Sequence, residues 1–384
     1  MLTPLNHQQK FVKGYSGSRL LVHEGGSGKT ICACLWLRDG RDADALVICP
    51  KKVVKKWQKA LADWSTRATV LSMEQFRKAP LHRWSAVVVD EADEFASPLF
   101  VAKSRSARSE CLHKLLTTFP ELLKESLLLT ATPVRSTPWN FHSLLFFMGI
   151  YIDWKEWRDK FFYLQYPDSR RYSYLARPAY LKRDNWREMV KDMLPKYADI
   201  VLLRECVGEL PPITEVFLDS PVPKFIKPID YKPFFDEHRH EQQNKAKEIL
   251  EVGKEFRKVL VVAYYREQID CLHKELSKNR QTFAIHGGVK DQEEVIAQAQ
   301  ESDECFFIAQ ASINAGYDAN TFSCIIFASM SYAVRDFVQT KFRVRRIHDL
   351  HPVTFYYLFG GRCDRAVFEN VQKGRDFIPS EWRD

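Results

Sequence analysis

A glycine-rich segment that ends in lysine and threonine is the strongest chemical signal in the sequence. It spans residues 23–30 (HEGGSGKT) and lies between a short apolar run and a plausible helix. Glycines such as Gly26 and Gly28 let successive backbone N–H groups turn inward around a phosphate, and the N-terminus of the following helix favours an anion. In such a loop Lys29 neutralises phosphate charge and the Thr30 hydroxyl ligates Mg²⁺. The segment predicts a nucleotide-phosphate site, although histidine stands where the full pattern has its first glycine.

Two carboxylates, Asp90 and Glu91, directly follow the β-branched run 87–89. A carboxylate at the tip of a buried strand can hold Mg²⁺, and an adjacent glutamate can orient and deprotonate an attacking water. Alone, an acidic pair after a strand is more often a solvated loop. In one sheet with the loop at Lys29, the pair supplies the other half of a nucleotide hydrolysis site.

Short apolar runs rich in β-branched residues must position these groups. They alternate with segments of helical length, which is typical of βα units around a buried parallel sheet. One series occupies the first third of the chain and a second follows residue 255. The runs are 20–22, 46–48, 69–71, 86–89 and 126–129, then 259–263, 282–285, 305–308, 324–327 and 353–358. The sequence therefore predicts an α/β fold class with two parallel-sheet domains.

Composition divides the chain into four segments. The first domain is predicted over 1–138, and 139–210, crowded with aromatic and basic residues, is predicted to be a helical insertion and the end of that domain. Prolines mark 211–238 as a linker, and 239–384 is predicted to be the second domain. Within the insertion, Trp154, Trp157 and Phe161 have the spacing of a helix core face, although stacking on unpaired bases is the alternative.

The charge balance and the cysteines limit the class of protein. Lys and Arg total 57 against 49 Asp and Glu, a net charge of +8 that favours a polyanionic partner. The nine cysteines are scattered and no pair has C-x2-C spacing, which predicts reduced thiols and no zinc or redox motif. The longest apolar stretch, 144–152, is too short to span a membrane. We expect a cytoplasmic, monomeric protein without a membrane partner.

The order of the phosphate loop, the acidic pair and the segment TATP at 130–133 resembles the motor core of superfamily-two helicases and translocases. The likeness is closer to their Swi/Snf-type, chromatin-remodeller-like branch, in a compact form similar to phage-encoded or minimal bacterial members. The resemblance implies two RecA-like lobes with a small helical insertion. It also implies ATP hydrolysis that depends on Lys29, Asp90 and Glu91, with Mg²⁺ held through Thr30 and Asp90.

Further site residues follow from the same resemblance. Residues 5–8 (LNHQ) resemble the adenine-reading motif, with Gln8 as the reader and Gln9 as its competitor. Thr130 and Thr132 would couple ATP hydrolysis to movement. The segments 312–318 and 339–346 resemble the family's fifth and sixth motifs, which adds Gly316, Asp318, Gln339, Arg343 and Arg346.

The two arginines lie three residues apart. On one helical face, Arg343 and Arg346 can reach the γ-phosphate that the first lobe binds and stabilise charge as it develops there. The alternative is that these are ordinary solvent-exposed basic side chains of a helix, an interpretation that suits Lys341 and Arg345 better.

The expected track is DNA, duplex or branched, bound with little sequence preference. Residues 47–51 and the tryptophan that follows resemble the family motif that lies against the DNA backbone, and 71–76 resemble the next strand-end motif. The side chains expected to contact DNA are Lys51, Lys52, Lys55, Trp57, Ser72 and Ser312. Phosphate neutralisation by such lysines gives salt-sensitive binding. Replication or recombination proteins are the expected protein partners.

Two other functions remain open from the sequence. The letters DEAD at 90–93 favour an RNA helicase, whereas the Q-x-x-x-R-x-x-R spacing at 339–346 and the LPP passage at 210–212 argue for the DNA translocase. A non-catalytic nucleic-acid-binding recruitment module is the third hypothesis. The intact set of Lys29, Asp90 and Glu91 argues against it.

Overall fold

The computed structural model describes residues 3–14, 17–98, 106–133, 137–165, 179–219, 245–313, 317, 319–344 and 350–377. The chain forms two compact units, Met1–Cys206 and Val207–Asp384. Each unit contains a six-stranded sheet in which every strand pair is parallel, with helices between the strands. The expected α/β class with two parallel-sheet domains is therefore confirmed.

The first unit has the strand order β3-β2-β4-β5-β1-β8. Its strands are β1 (Arg19–His23), β2 (Ala45–Cys49), β3 (Thr69–Ser72), β4 (Ala86–Asp90), β5 (Ser126–Thr130) and β8 (Ala198–Val201). Its helices are α1 (Asn6–Gly14), α2 (Lys29–Arg38), α3 (Val54–Asp63), α4 (Met73–Lys78), α5 (Ala107–Thr118), α6 (Pro138–Phe147), α7 (Trp154–Phe161), α8 (Trp186–Tyr197) and α9 (Leu203–Val207), the last of which crosses the boundary between the units. Because β4 pairs with β5 and β5 pairs with β1, the chemistry-bearing strand ends are neighbours at one edge.

The second unit has the strand order β11-β12-β10-β13-β14-β9. Its strands are β9 (Ile213–Asp219), β10 (Lys258–Ala263), β11 (Thr282–Ile285), β12 (Cys305–Gln310), β13 (Cys324–Phe327) and β14 (Val353–Phe359). Its helices are α10 (Ala246–Gly253), α11 (Arg266–Leu276), α12 (Gln292–Glu301), α13 (Val334–Arg343) and α14 (Arg362–Gln372).

Burial on both faces of each sheet explains why the sequences of the central strands are continuous apolar runs. All five residues of β2 are buried, as are the first four of β4 and the first five of β12. In each unit, alternate side chains of the sheet enter two separate hydrophobic clusters, one on each face. A parallel sheet covered by helices on both faces requires this pattern.

The segment 139–210 is not wholly helical, which corrects the prediction. Between α7 and α8 the chain forms an antiparallel pair, β6 (Phe162–Gln165) with β7 (Ala179–Lys182). The segment then returns to the main sheet as β8, which pairs in parallel with β1. Aromatic crowding hid these short strands, because large side chains pack equally well on a helix or a hairpin.

The expected linker also contains a strand. Ile213–Asp219 forms β9 and pairs along its whole length with β14 at the edge of the second sheet. The predicted linker of 211–238 is therefore too long at its start, and its residues 220–238 lie outside the described part of the chain. The strand escaped notice because its alternating side chains are largely exposed, as expected at a sheet edge.

The interior agrees with the thiol prediction over the described residues. All nine cysteines are free, and six of them are buried. Among the helices that the structure describes, none is long and apolar enough to cross a membrane.

Candidate functional site

The phosphate loop connects β1 to α2 through two glycines in the left-handed region. Gly26 has φ 86° and Gly28 has φ 88°, a backbone conformation that side chains with a Cβ rarely adopt. A Cβ on Gly28 would in addition lie 2.5 Å from Nε2 of Gln8. Ser27 Oγ donates to the Glu24 carbonyl at 2.7 Å and closes the turn. The predicted loop therefore forms, with Lys29 and Thr30 in the first turn of the helix.

Lys29 lies folded over this loop. Its Nζ donates to the carbonyl of His23 at 2.7 Å and to the carbonyl of Glu24 at 3.3 Å. Both of these acceptors are uncharged backbone carbonyls, and a phosphate attracts an ammonium group more strongly than a carbonyl does. The residue that replaces the first glycine of the pattern thus contributes its backbone carbonyl to the site.

Of the two candidate glutamines, Gln8 is the one beside the loop. Its side chain is buried, Oε1 accepts from Leu5 N at 2.8 Å, and Nε2 has no partner among the described residues. Gln9 instead donates from Nε2 to the Pro4 carbonyl at 2.9 Å. A buried amide with an unused donor next to Gly28 is the arrangement that a nucleotide-reading glutamine requires.

Asp90 ends β4, and both of its carboxylate oxygens accept hydrogen bonds from the protein. Trp57 Nε1 donates to Oδ2 at 2.9 Å, and the backbone N–H of Glu91 donates to Oδ1 at 3.0 Å. Burial raises the pKa of Asp90, whereas the Trp57 hydrogen bond and the charge of Lys29 lower it. Trp57 therefore fixes the orientation of this carboxylate and favours its ionised form.

Glu91 occupies a strained backbone conformation. Its φ of 52° and ψ of 50° place a residue other than glycine in the left-handed region, immediately before a short 3₁₀ turn, Ala92–Glu94. Such a conformation costs about 1–3 kcal/mol and is concentrated at functional sites. This left-handed conformation turns the chain at the end of β4, between Asp90 and the short 3₁₀ turn.

Thr130 links the acidic segment to the TATP segment. Its buried Oγ1 donates to Oδ1 of Asp93 at 2.9 Å and accepts from the backbone N–H of Thr132, also at 2.9 Å. The two strand ends, β4 and β5, are thereby joined by a side chain as well as by the sheet. The sequence indicated Thr130 and Thr132, but it did not single out Asp93 as their partner.

Among the site residues predicted in the second unit, Arg343 has well-defined surroundings. It is 4% exposed, its guanidinium lies 4.1 Å from the ring centroid of Tyr317, and neither terminal nitrogen has a hydrogen-bond partner among the described residues. Helix α13 ends at Arg343, and the predicted helical face that it shares with Arg346 falls outside the described residues. Arg346, Gly316 and Asp318 lie outside the described residues, and Gln339 is buried on α13.

The residues expected to contact DNA fall into two groups. Lys51, Lys52, Lys55 and Ser312 are exposed. Trp57 is 1% exposed and bonded to Asp90, and Ser72 is 3% exposed and caps α4 by accepting from Gln75 N. Buried side chains engaged in this way cannot reach a nucleic acid, so we remove both from the proposed contact surface. The spacing of Val53, Trp57 and Leu61 was the signal for burial, because it marks the apolar face of α3.

In the insertion, the expected core face is formed in part. Trp157 and Phe161 are buried, whereas Trp154 is 38% exposed and lies beside Arg158, whose guanidinium is 5.4 Å from its ring centroid. The same guanidinium is 4.8 Å from the ring of Tyr180. The core interpretation therefore holds for two of the three aromatics, and the third belongs to an exposed aromatic and basic surface.

Comparison with known proteins adds two observations. Residues 241–348 match the family described as helicase conserved C-terminal domain. Dbp5 from S. cerevisiae, solved bound to RNA and ADP BeF3, is 11% identical with a TM-score of 0.57, over 98% of this chain and 88% of that one. The likeness to Dbp5 is one of fold.

A second solved structure, the SWI2/SNF2 ATPase core of Sulfolobus solfataricus in complex with dsDNA, is 14% identical with a TM-score of 0.42. It aligns over 99% of this chain and 94% of that chain. No curated protein matches the sequence. The family match at 241–348 lies within the second unit, and the phosphate loop belongs to the first.

Proposed function

We propose that this protein is a nucleic-acid-stimulated ATPase that uses ATP hydrolysis to move along or remodel DNA. The observation that carries the proposal is the strand-end cluster of the first unit, where the phosphate loop, Asp90 and the Asp93–Thr130 hydrogen bond occupy neighbouring strands. In parallel α/β sheets, ligands bind at the carboxyl ends of the strands. The helicase C-terminal match at 241–348 supports the same class of function.

In this proposal each residue has one task. Lys29 leaves the backbone carbonyls that hold it and neutralises phosphate charge, while Gln8 reads the adenine. Glu91 orients the attacking water and accepts its proton. Arg343, a buried guanidinium with unmade hydrogen bonds, stabilises the charge that develops on the γ-phosphate.

The oxygen donors of Thr30 and Asp90 suit Mg²⁺, which prefers hard oxygen ligands. When bound with ATP, the ion would shield the charge of the phosphate oxygens. Asp90 is prepared for this role, because its two hydrogen bonds fix the carboxylate without a metal.

The preference for DNA rests on the Swi/Snf-type motifs and on the exposed lysines Lys51, Lys52 and Lys55. RNA is the second candidate. The DEAD sequence, in which Asp93 is buried against Thr130, and the fold shared with RNA-bound Dbp5 favour it. We propose that the branch is the Swi/Snf type, in a compact monomeric and cytoplasmic form, with replication or recombination proteins as partners.

Lys29→Ala tests the site directly. We expect kcat for ATP hydrolysis to fall by about 10²–10³, because the charge donor to the phosphates is removed. The measurement is phosphate release in the presence of duplex DNA, single-stranded DNA or RNA. Lys124→Ala, which removes an exposed lysine, is the matched control and should be unchanged. Equal turnover in Lys29→Ala would refute the site, and stimulation by RNA alone would replace DNA with the second candidate.

A further inference from the structure

A cluster of imidazole and thiol groups lies directly behind the phosphate loop. A ring nitrogen of His7, a ring nitrogen of His23 and the sulfur of Cys32 all lie within 4.8 Å of one another. His23 and Cys32 are buried, and His7 is half-buried. They belong to three elements, α1, β1 and α2, so the fold and not local sequence spacing brings them together. No step of the proposed ATP hydrolysis uses these side chains.

His23 has the hydrogen-bond pattern of a metal ligand. Its Nε2 lies 2.7 Å from Oδ2 of Asp199, while Nδ1 is buried with no partner among the described residues. A metal-binding histidine almost always places its second ring nitrogen against a carboxylate or carbonyl, which fixes the tautomer and leaves the other nitrogen free for the metal.

A fourth donor lies on the open side of the cluster. The sulfur of Cys206 on α9 is 3.8 Å from Nε2 of His7, and its charge acts on the Cys32 thiol. Cys206 and His7 are both half-buried, which gives an ion a path from solvent. Two thiols and two imidazoles are the donor set that structural zinc sites use, and two thiolates would neutralise the charge of the ion.

We propose that His7, His23, Cys32 and Cys206 bind one Zn²⁺ in a tetrahedral site beneath the phosphate loop. Zinc–donor distances of about 2.0–2.3 Å would require the four donor atoms to move closer together than they lie in this structure. Each thiol loses its proton to solvent as its bond to zinc forms, and no oxidation occurs. This inference goes beyond the proposed ATPase and does not depend on it.

Zinc bound at this site would affect the structure of the phosphate loop. His7 Nε2 also lies 2.9 Å from the carbonyl of Ser27, inside the phosphate loop. A zinc ion bound to His7 Nε2 would compete with this carbonyl for the nitrogen. It would also link α1, the helix that carries Gln8, to β1 and α2, which flank the loop. The ion would therefore be linked to the nucleotide site without being part of its chemistry.

The test is a titration of the reduced full chain with Co²⁺ and then Zn²⁺. Tetrahedral thiolate-bound cobalt gives visible d–d bands and near-ultraviolet sulfur-to-cobalt charge transfer, and zinc displaces it stoichiometrically. We expect one equivalent in the native sequence. Cys32→Ala and Cys206→Ala should each weaken zinc binding at least about tenfold and reduce the charge-transfer band.

Cys34→Ala is the matched control, since Cys34 is a buried thiol on the same helix outside the cluster. It should bind zinc as the native sequence does. Absence of the charge-transfer band in the native sequence would overturn the proposal. Native affinity in both Cys32→Ala and Cys206→Ala, or an equal loss in Cys34→Ala, would also overturn it. Because Cys206 is half-buried, its variant remains informative even where Cys32→Ala fails to fold.

Discussion

The charged residues predicted for the nucleotide site differ between the two units in how completely the protein satisfies their hydrogen bonds. In the first unit, Lys29 and Asp90 already have hydrogen-bond partners, and Asp93 is bonded to Thr130. In the second unit, Arg343 is also buried, yet its terminal nitrogens bond to none of the described residues and its guanidinium lies over the ring of Tyr317.

The difference distinguishes side chains that the protein already holds in place from a side chain whose hydrogen-bond donors are open to a ligand. A buried guanidinium normally pairs with a carboxylate or carbonyls, because an unmade charged hydrogen bond costs more than a neutral one. Partners that fix Asp90 lower the reorganisation needed for catalysis, whereas donors left open on Arg343 favour an incoming anion. We therefore expect changes in the first unit to affect stability and activity together, and changes at Arg343 to affect activity alone.

Arg343→Met should show the largest effect. We expect kcat for ATP hydrolysis to fall by about 10³, the loss typical of an arginine that stabilises transferring phosphate. The free energy of unfolding should stay within about 1 kcal/mol, because methionine keeps a contact with Tyr317 and the terminal nitrogens of Arg343 have no hydrogen-bond partner among the described residues. Steady-state kinetics and denaturant unfolding of the same preparation measure both.

Arg375→Met, at an exposed position, is the control and should leave both quantities unchanged. A loss of stability as large as the loss of activity would remove the contrast between the units, since Arg343 would then be a structural residue.

Trp57→Phe should have an intermediate effect on the first unit. Loss of the indole N–H leaves Oδ2 of Asp90 without its donor and costs about 1–2 kcal/mol in stability. The same bond lowers the pKa of Asp90, so its removal raises that pKa. Asp90 must be ionised to hold Mg²⁺, and the acidic limb of the pH–rate profile should therefore move to higher pH.

The half-buried Trp84 provides the control, and Trp84→Phe should leave the pH–rate profile in place. Trp57 acts through Asp90 and is a positioning residue. An acidic limb that stays in place in Trp57→Phe would mean that the indole only fills space.

Thr130→Val should give the smallest effect. The substitution keeps the shape of the side chain and removes the bond to Asp93, so we expect basal ATP hydrolysis to persist while stimulation by nucleic acid falls about fivefold. The measurement is the ratio of stimulated to basal turnover. Thr117→Val on α5, an exposed site, should retain the native ratio. A native ratio in Thr130→Val would show that the hydrogen bond does not couple the two segments.

Much of the first unit could be predicted because its chemistry follows local patterns. A β-branched run ends at Asp90, a run of leucines ends at Thr130, and glycines precede Lys29. Parallel strands place their carboxyl ends at one edge, so these groups had to be neighbours. Ten strands were indicated by apolar runs, and all ten form.

The features that escaped prediction depend on contacts between distant parts of the chain. Trp57 was assigned to DNA from its neighbours, yet its indole bonds to Asp90, 33 positions away. His23 meets Asp199 across two neighbouring strands, and β9 pairs with β14 although 140 positions separate the two residues of each pair. The periodicity of apolar residues identifies the buried face of a helix or strand, but not the element that packs against it. An exposed edge strand does not even have the continuous apolar run that marks a buried strand.

Turnover by Glu91→Gln tests the central claim most directly. The substitution preserves size and removes only the ability to accept a proton, so ATP should still bind while hydrolysis in the presence of duplex DNA falls by about 10²–10⁴. Nucleotide binding and phosphate release are measured on the same preparation, with Glu188→Gln at an exposed position as the control. Retained binding with lost turnover is the predicted result. DNA-stimulated turnover equal to that of the native protein would contradict the account.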